Sequence, residues 1–163
     1  IWWPYTTNAA STYLITKRST YQIVLDCKGI SASVDGKVED DDFDRTIIID
    51  LNKKTWRNPG SQKKKLVIQD SFFGKYWIAE FVVGKTNPSI DVMVHKLNRY
   101  NGELNVISTG LPVSVGKKMQ KMNKSKSNLK TFNELYKVAL QEYLRSKDGF
   151  FSTSKCSKSK KAF

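Results

Sequence analysis

The sequence predicts a mainly β fold, an antiparallel barrel or sandwich of about 8–10 short strands with one C-terminal helix packed on it. Short runs rich in Val, Ile, Tyr and Phe recur at spacings of about 8–12 residues, which is typical of antiparallel β proteins. No regular alternation of strands and helices appears, so a parallel doubly wound sheet is not expected. The clearest local signal lies at residues 90–109, where two such runs flank Asn101-Gly102.

Asn101-Gly102 suits a two-residue type I′ turn, because both residue types tolerate a positive φ. Such a turn places Leu97 opposite Val106 and Arg99 opposite Leu104. The sequence therefore predicts a tight central hairpin.

The other strands are predicted from clusters of β-branched and aromatic residues. Asp35-Gly36 is a second tight-turn signal, and the lysines before Leu66 are typical of a solvated strand end that discourages edge pairing. The strand-like runs occupy residues 11–16, 21–27, 30–34, 46–51, 66–68 and 75–83.

A helix is predicted after this β-rich part. Thr131 and Glu134 have the spacing of a capping box, and Gly149 is a plausible stop. Apolar residues recur between them at helical spacing, which is more typical of a face packed on the sheet than of a free partner-binding or membrane-surface face. These residues are Phe132, Leu135, Tyr136, Ala139, Leu140, Tyr143 and Leu144.

The chain has 163 residues, a length that suggests one domain with a sizeable core. Residues 1–10 combine the apolar Ile1–Pro4 with the small Ala9 and Ala10, which is compatible with the end of an export signal, although Trp2 and Trp3 packing on the sheet is an alternative. The expected organisation is an N-terminal segment (1–10), a β-rich body (11–110), a basic flexible connector (111–128), a helix (129–149) and a basic C-terminal tail (150–163).

The charge is uneven along the chain. The net charge is +13, and residues 117–163 contribute +10 of it through 12 lysines and one arginine against three acidic residues. Such a surface attracts polyanions, so we expect contact with an acidic protein, a membrane surface or another polyanion. The candidate lysines are Lys117, Lys118, Lys121, Lys124, Lys126, Lys158, Lys160 and Lys161.

The acidic residues of the body concentrate at 39–44, EDDDFD. A Ca²⁺ site is one interpretation, but the EF-hand order of alternating acids, a glycine and a distal Glu is absent. A solvated acidic loop, facing the basic tail, is the preferred interpretation. We expect no metal ion and no cofactor.

Cys27 and Cys156 are the two cysteines. A bond between them would tie the end of the chain to an early strand and stabilise the fold by about 4–5 kcal/mol in the chain-entropy model. Two reduced thiols are the alternative. The two residues lack CxxC spacing, so zinc and thioredoxin-like redox roles are not expected.

The sequence shows no recognisable combination of catalytic residues, which favours a non-enzymatic protein. His95 is the single histidine and is interpreted as a polar residue on a sheet face. The alternative is a hydrolase or lyase in which His95 works with a carboxylate such as Asp91. No phosphate-binding glycine loop or dinucleotide motif is present.

Single-stranded nucleic-acid binding is a second alternative, because aromatic residues beside lysines can stack bases while the lysines neutralise phosphates. The candidate stacking residues are Trp56, Phe72, Phe73, Tyr76 and Trp77.

Three short stretches, Leu97–Leu104 (LNRYNGEL), Cys27-Lys28-Gly29 and Cys156–Phe163 (CSKSKKAF), resemble small exported bacterial β-rich proteins of unknown function. The resemblance implies a compact β domain with an export signal and an early-to-late cysteine pair, and it transfers no catalytic residue. The expected function is thus a non-enzymatic exported (periplasmic, envelope or secreted) binding or structural domain, with a cytoplasmic location as the alternative. Its basic C-terminal third would contact an acidic partner or surface.

Overall fold

A computed structural model describes residues 22–40, 44–79, 88–124 and 128–159. The predicted segment 1–10 and the predicted strand at 11–16 lie outside these residues. The described elements are β1 (Gln22–Val34), β2 (Lys37–Asp40), β3 (Asp44–Asp50), β4 (Thr55–Arg57), β5 (Lys64–Lys65), β6 (Val67–Ile68), β7 (Phe72–Ile78), β8 (Ser89–Asn98), β9 (Glu103–Pro112), α1 (Val113–Lys124), α2 (Asn128–Ser146) and β10 (Phe150–Lys158).

The strands form one antiparallel sheet in the order β5-β4-β3-β1-β10-β9-β8-β7-β6, and β2 pairs with β1 off this path. The outermost strands β5 and β6 are separated in the chain by Leu66 alone, so the sheet curls into a nearly closed barrel. The predicted fold class is confirmed, and of the two predicted architectures the barrel is the one observed. Within the described ranges two helices accompany it, where the sequence predicted one.

Two apolar layers hold the structure together. The first fills the barrel and includes Leu25, Ile47, Trp56 and Phe73. The second lies outside the barrel, between the strands β6–β9 and the two helices, and is centred on Phe132, which is 0% exposed. Because successive strand residues face opposite sides, β7, β8 and β9 contribute to both layers.

The predicted Asp35-Gly36 turn is confirmed. Asp35 has φ 51° and Gly36 φ 84°, both positive as a type I′ turn requires, and Val34 pairs with Lys37 across it.

The central hairpin is present, but its predicted turn is wrong. The loop spans residues 99–102, between the end of β8 and the start of β9. The Asn98 side chain accepts hydrogen bonds from the backbone N–H groups of Tyr100 (2.8 Å) and Asn101 (3.1 Å). The Gly102 N–H donates to the Asn98 carbonyl (2.9 Å), and Gly102 has φ 75°. An asparagine side chain that organises the backbone beyond it therefore sets this loop.

The longer loop shifts the hairpin register. Leu97 pairs with Leu104 and not with the predicted Val106. The partner moves by two residues, so each side chain stays on the face that the prediction gave it.

The predicted flexible connector at 111–128 is wrong over most of its length. Leu111 and Pro112 end β9, and Val113–Lys124 form α1. Met119 is 1% exposed, and a Cβ on Gly116 would lie 2.5 Å from Cβ of Ile90. Close packing on β8 thus stabilises this helix, although its lysine-rich composition predicted a flexible segment.

The predicted helix at 129–149 is observed as α2, Asn128–Ser146. Its buried stripe of Phe132, Leu135, Ala139 and Tyr143 packs on the sheet as predicted. Thr131 is not the cap, because it lies inside the helix and its hydroxyl donates to the Met122 carbonyl (3.1 Å).

The predicted basic tail at 150–163 is instead largely a strand. β10 lies inside the sheet between β1 and β9. It pairs Cys156 directly with Cys27 of β1, with Cα atoms 3.9 Å apart, and the two cysteines form a disulfide. The candidate bond is therefore present in the structure.

Candidate functional site

Four of the eight candidate lysines lie together on α1. Lys117, Lys118, Lys121 and Lys124 are all exposed, and α1 contains no acidic residue. Lys117, Lys121 and Lys124 share one helix face because they are spaced by four and three residues. We call these three residues and the adjacent exposed Lys118 the lysine face. Lys158 lies elsewhere, on β10, and Lys126, Lys160 and Lys161 lie outside the described residues.

The five candidate stacking residues do not form one exposed surface. Phe72 and Tyr76 point outward against Phe132 of α2, with ring centroids 5.2 and 6.4 Å away. Trp56 and Phe73 are buried inside the barrel, at 0% and 1% exposure, whereas Trp77 is 48% exposed. Successive side chains of β7 face opposite sides of the sheet, and this separates the candidates. The residue types alone do not indicate which side each one faces.

His95 faces the barrel interior from β8. Its ring meets Trp56 edge-on, with centroids 5.7 Å apart, and it pairs across the sheet with Lys75 of β7. Asp91, the expected acid–base partner, instead accepts a hydrogen bond from Ser89 (3.3 Å) and lines a different cavity near the end of α2. The structure does not bring the two residues together as a catalytic pair.

Two cavities meet at His95. The larger has a volume of about 500 Å³ and the smaller about 250 Å³. Residues around the larger one are Asp44, Arg45, Thr46, Ile47, Trp56, Asn58, Pro59, His95 and Leu104. Residues around the smaller one are Lys64, Lys75, Tyr76, Trp77, Met93 and His95.

The charges around His95 are mainly positive. Burial, followed by the charges of Lys75 and Arg45, lowers the pKa of His95 well below its ordinary value, so the ring is neutral at pH 7. Burial, followed by the charge of Lys64, lowers the pKa of Lys75 from 10.5 to about 8. Asp44 is the acidic residue in the cavity walls, and its side chain is exposed.

The cation cluster combines residues from four strands. Lys75 Nζ lies 5.4 Å from the centroid of the Trp56 ring, within cation–π range. Lys64 of β5 pairs with Trp56 of β4. We call Arg45, Lys64 and Lys75, together with the neutral His95 that they surround, the interior cation cluster. Sequence reasoning missed it, and the available signal was that Lys75 shares the inward face of its strand with the apolar Phe73.

Neither a metal site nor a membrane-spanning helix is found in the described ranges. No group of three His, Cys, Asp or Glu residues there could hold a metal ion, and no helix there is long and apolar enough to cross a bilayer. Residues 41–43 of the acidic cluster fall outside those ranges, so the calcium interpretation concerns a segment that is only partly described.

Comparisons with protein-family models, with curated proteins and with solved structures found no match. The resemblance to small exported bacterial proteins therefore stays a prediction.

Proposed function

We propose that this protein is a non-enzymatic binding domain that contacts an acidic protein or an anionic membrane surface through the lysine face of α1. One observation carries the proposal: α1 is anchored on the barrel by Met119 and presents four exposed lysines with no acidic neighbour in the same helix. Because the helix is fixed to the sheet, its charges keep a defined arrangement and lose less entropy on binding than those of a flexible segment.

Charge contact is favoured over base recognition. The lysine face holds no arginine and no aromatic ring, whereas single-stranded nucleic-acid sites combine cations with stacking platforms. Tyr76 and Phe72, which could have supplied such platforms, pack against α2. An acidic surface that needs no base stacking suits this arrangement better.

An exported location is part of the proposal. Disulfides persist mainly in oxidising compartments, such as the periplasm and the extracellular space. Cys27 and Cys156 are both buried and bonded to each other, which supports export over the cytoplasmic alternative.

The test removes the charge of the lysine face. A variant with Lys117, Lys118, Lys121 and Lys124 changed to Gln should bind phosphatidylserine-containing vesicles at least about 100-fold more weakly, since each lysine near an anionic membrane contributes about 1 kcal/mol. Soluble polyglutamate serves as the acidic-protein probe. The matched control changes the exposed Lys28, Lys37, Lys53 and Lys65 to Gln, which removes the same charge from other parts of the surface.

Equal losses in the two variants would show that net charge alone drives binding, and the proposal would be wrong. Oligonucleotide binding that quenches tryptophan fluorescence in preference to the two acidic probes would favour the nucleic-acid alternative. An activity found for the protein and abolished by His95→Ala would favour the hydrolase or lyase alternative.

A further inference from the structure

We propose that the smaller cavity beside His95 is a second binding site, which takes a small organic carboxylate with a flat apolar body. The carboxylate would lie between Lys64 and Lys75, and its apolar body would lie against Trp77 and Met93. This site is separate from the lysine face, because α1 packs on the outer side of the barrel whereas the cavity opens on the inner side.

Electrostatics is the first support. Lys64 and Lys75 share the cavity wall, with no carboxylate among the lining residues that the structure describes there. Burial, followed by the charge of Lys64, raises the free energy of the charged form of Lys75. An anion bound between them would offset both effects at once, and it would form charge-assisted hydrogen bonds that are stronger than neutral ones.

The second support is a buried polar atom without a partner. His95 Nδ1 is inaccessible to solvent and makes no hydrogen bond within the described part of the chain. Buried polar groups are nearly always hydrogen-bonded, and those that are not call for an explanation. A neutral imidazole offers one donor and one acceptor nitrogen. His95 lines the cavity, so a ring that turns towards a bound ligand can donate to a carboxylate oxygen or accept from a hydroxyl group.

The shape of the cavity indicates the rest of the ligand. Trp77 and Met93 are 48% and 37% exposed, although both are large and apolar. They face each other across β7 and β8 as a directly paired couple. A flat ring against these side chains would remove apolar surface from water. The cavity volume of about 250 Å³ exceeds the roughly 150 Å³ that admits benzene into an engineered protein cavity.

A calorimetric titration with benzoate and benzamide tests the proposal, because the two molecules have nearly the same shape and differ in charge. Benzoate should bind, and benzamide should bind at least about tenfold more weakly, since charged hydrogen bonds are worth more than neutral ones. His95 is the only histidine of the chain. Selective ¹⁵N labelling of histidine therefore gives one pair of ring signals, and benzoate should shift them.

Adjacent residues supply the matched control. Lys64→Met and Lys75→Met should each weaken benzoate binding about tenfold or more. Lys65→Met removes the same charge from the exposed opposite side of β5 and should leave binding unchanged. Circular dichroism and the urea midpoint confirm that each variant is folded.

Three results would overturn the proposal. The first is no benzoate binding at millimolar concentration to the unmodified protein. The second is equal binding of benzoate and benzamide, which would show that the site does not recognise the negative charge. The third is inorganic phosphate binding as tightly as benzoate, which would show that the site does not recognise an apolar ring.

Discussion

The two faces of β8 show how differently one strand can be used. Towards the helices it presents Ile90, Val92 and Val94, each at most 1% exposed. Towards the barrel interior it presents Met93 and His95, which line cavities. From Ile90 to Val94 the helix-covered face is apolar and closely packed, and Lys96 beyond them lies over the rings of Phe72 and Tyr136, 4.9 and 4.8 Å from their centroids. The interior face keeps a partly exposed apolar side chain and an unpartnered ring nitrogen, which stability alone does not require.

Removal of the disulfide, which lies in the layer inside the barrel, tests whether the helix-covered layer keeps the protein folded without that bond. Changing both Cys27 and Cys156 to Ala should lower the free energy of unfolding by about 4–5 kcal/mol, because the bond closes a separation of 129 residues. Urea unfolding followed by circular dichroism measures the loss. A loss below about 1 kcal/mol would show that the outer layer suffices alone.

Phe132→Ala breaks the helix-covered layer directly. The ring is 0% exposed and lies against Phe72, Tyr76 and Tyr136, so its removal should destabilise the protein by about 3–5 kcal/mol. Benzoate binding to the fraction that stays folded should be unchanged. If affinity falls in step with stability, the two faces are not independent.

Gly74→Ala probes the same layer by adding one methyl group. A Cβ at this position would lie 2.5 Å from the Phe132 ring, so we expect a destabilisation of about 1–3 kcal/mol from overpacking. The double variant Gly74→Ala, Phe132→Leu gives the methyl group room. It should recover part of the loss expected from the sum of the two single variants, as urea midpoints will show.

Lys75→Met changes the interior face and should act in the opposite direction. The pKa of Lys75 is lowered to about 8 in the folded protein, so the unfolded chain binds the proton more tightly and the charged lysine opposes folding at pH 7. We expect the variant to be more stable by about 1 kcal/mol, a value reduced by partial solvent contact and by the lost attraction to Trp56.

The pH dependence gives the sign of this effect. As pH rises from about 8 towards 10.5, folded Lys75 loses its proton before the unfolded chain does, so the unmodified protein gains stability relative to Lys75→Met. Urea unfolding of both proteins at pH 7 and pH 10 measures the difference in their free energies of unfolding. This difference should shrink as pH rises, and a difference that grows would contradict the lowered pKa of Lys75. Lys64 and His95 line the same cavity as Lys75, Arg45 lines the neighbouring cavity, and all three are unchanged in the comparison.

Local signals predicted much of the fold. Asp35-Gly36 fixed a turn, and the apolar spacing from Phe132 to Tyr143 fixed the buried face of α2. One failure came from a local side-chain contact and the other from packing on a distant strand. Asn98 lengthened the central loop through its side chain, and Met119 stabilised α1 only because β8 lies beneath it.

The interior cation cluster was harder to predict because its members come from separate strands. Lys64 and Lys75 each resemble an ordinary surface lysine in sequence, and only closure of the barrel brings them to His95. The aromatic candidates are separated for a related reason. Phe72 and Phe73 are neighbours in sequence but face opposite sides of the sheet.

The Cys27–Cys156 bond also decides how the molecule responds to force. A pull on the chain before Cys27 and after Cys156 passes through one covalent link between β1 and β10, so the strands between these residues carry no load. Reduction would place the 129-residue separation under tension and release about 450 Å of extensible chain. The bonded protein would hardly lengthen under load, whereas the reduced protein would extend as its strands unfold.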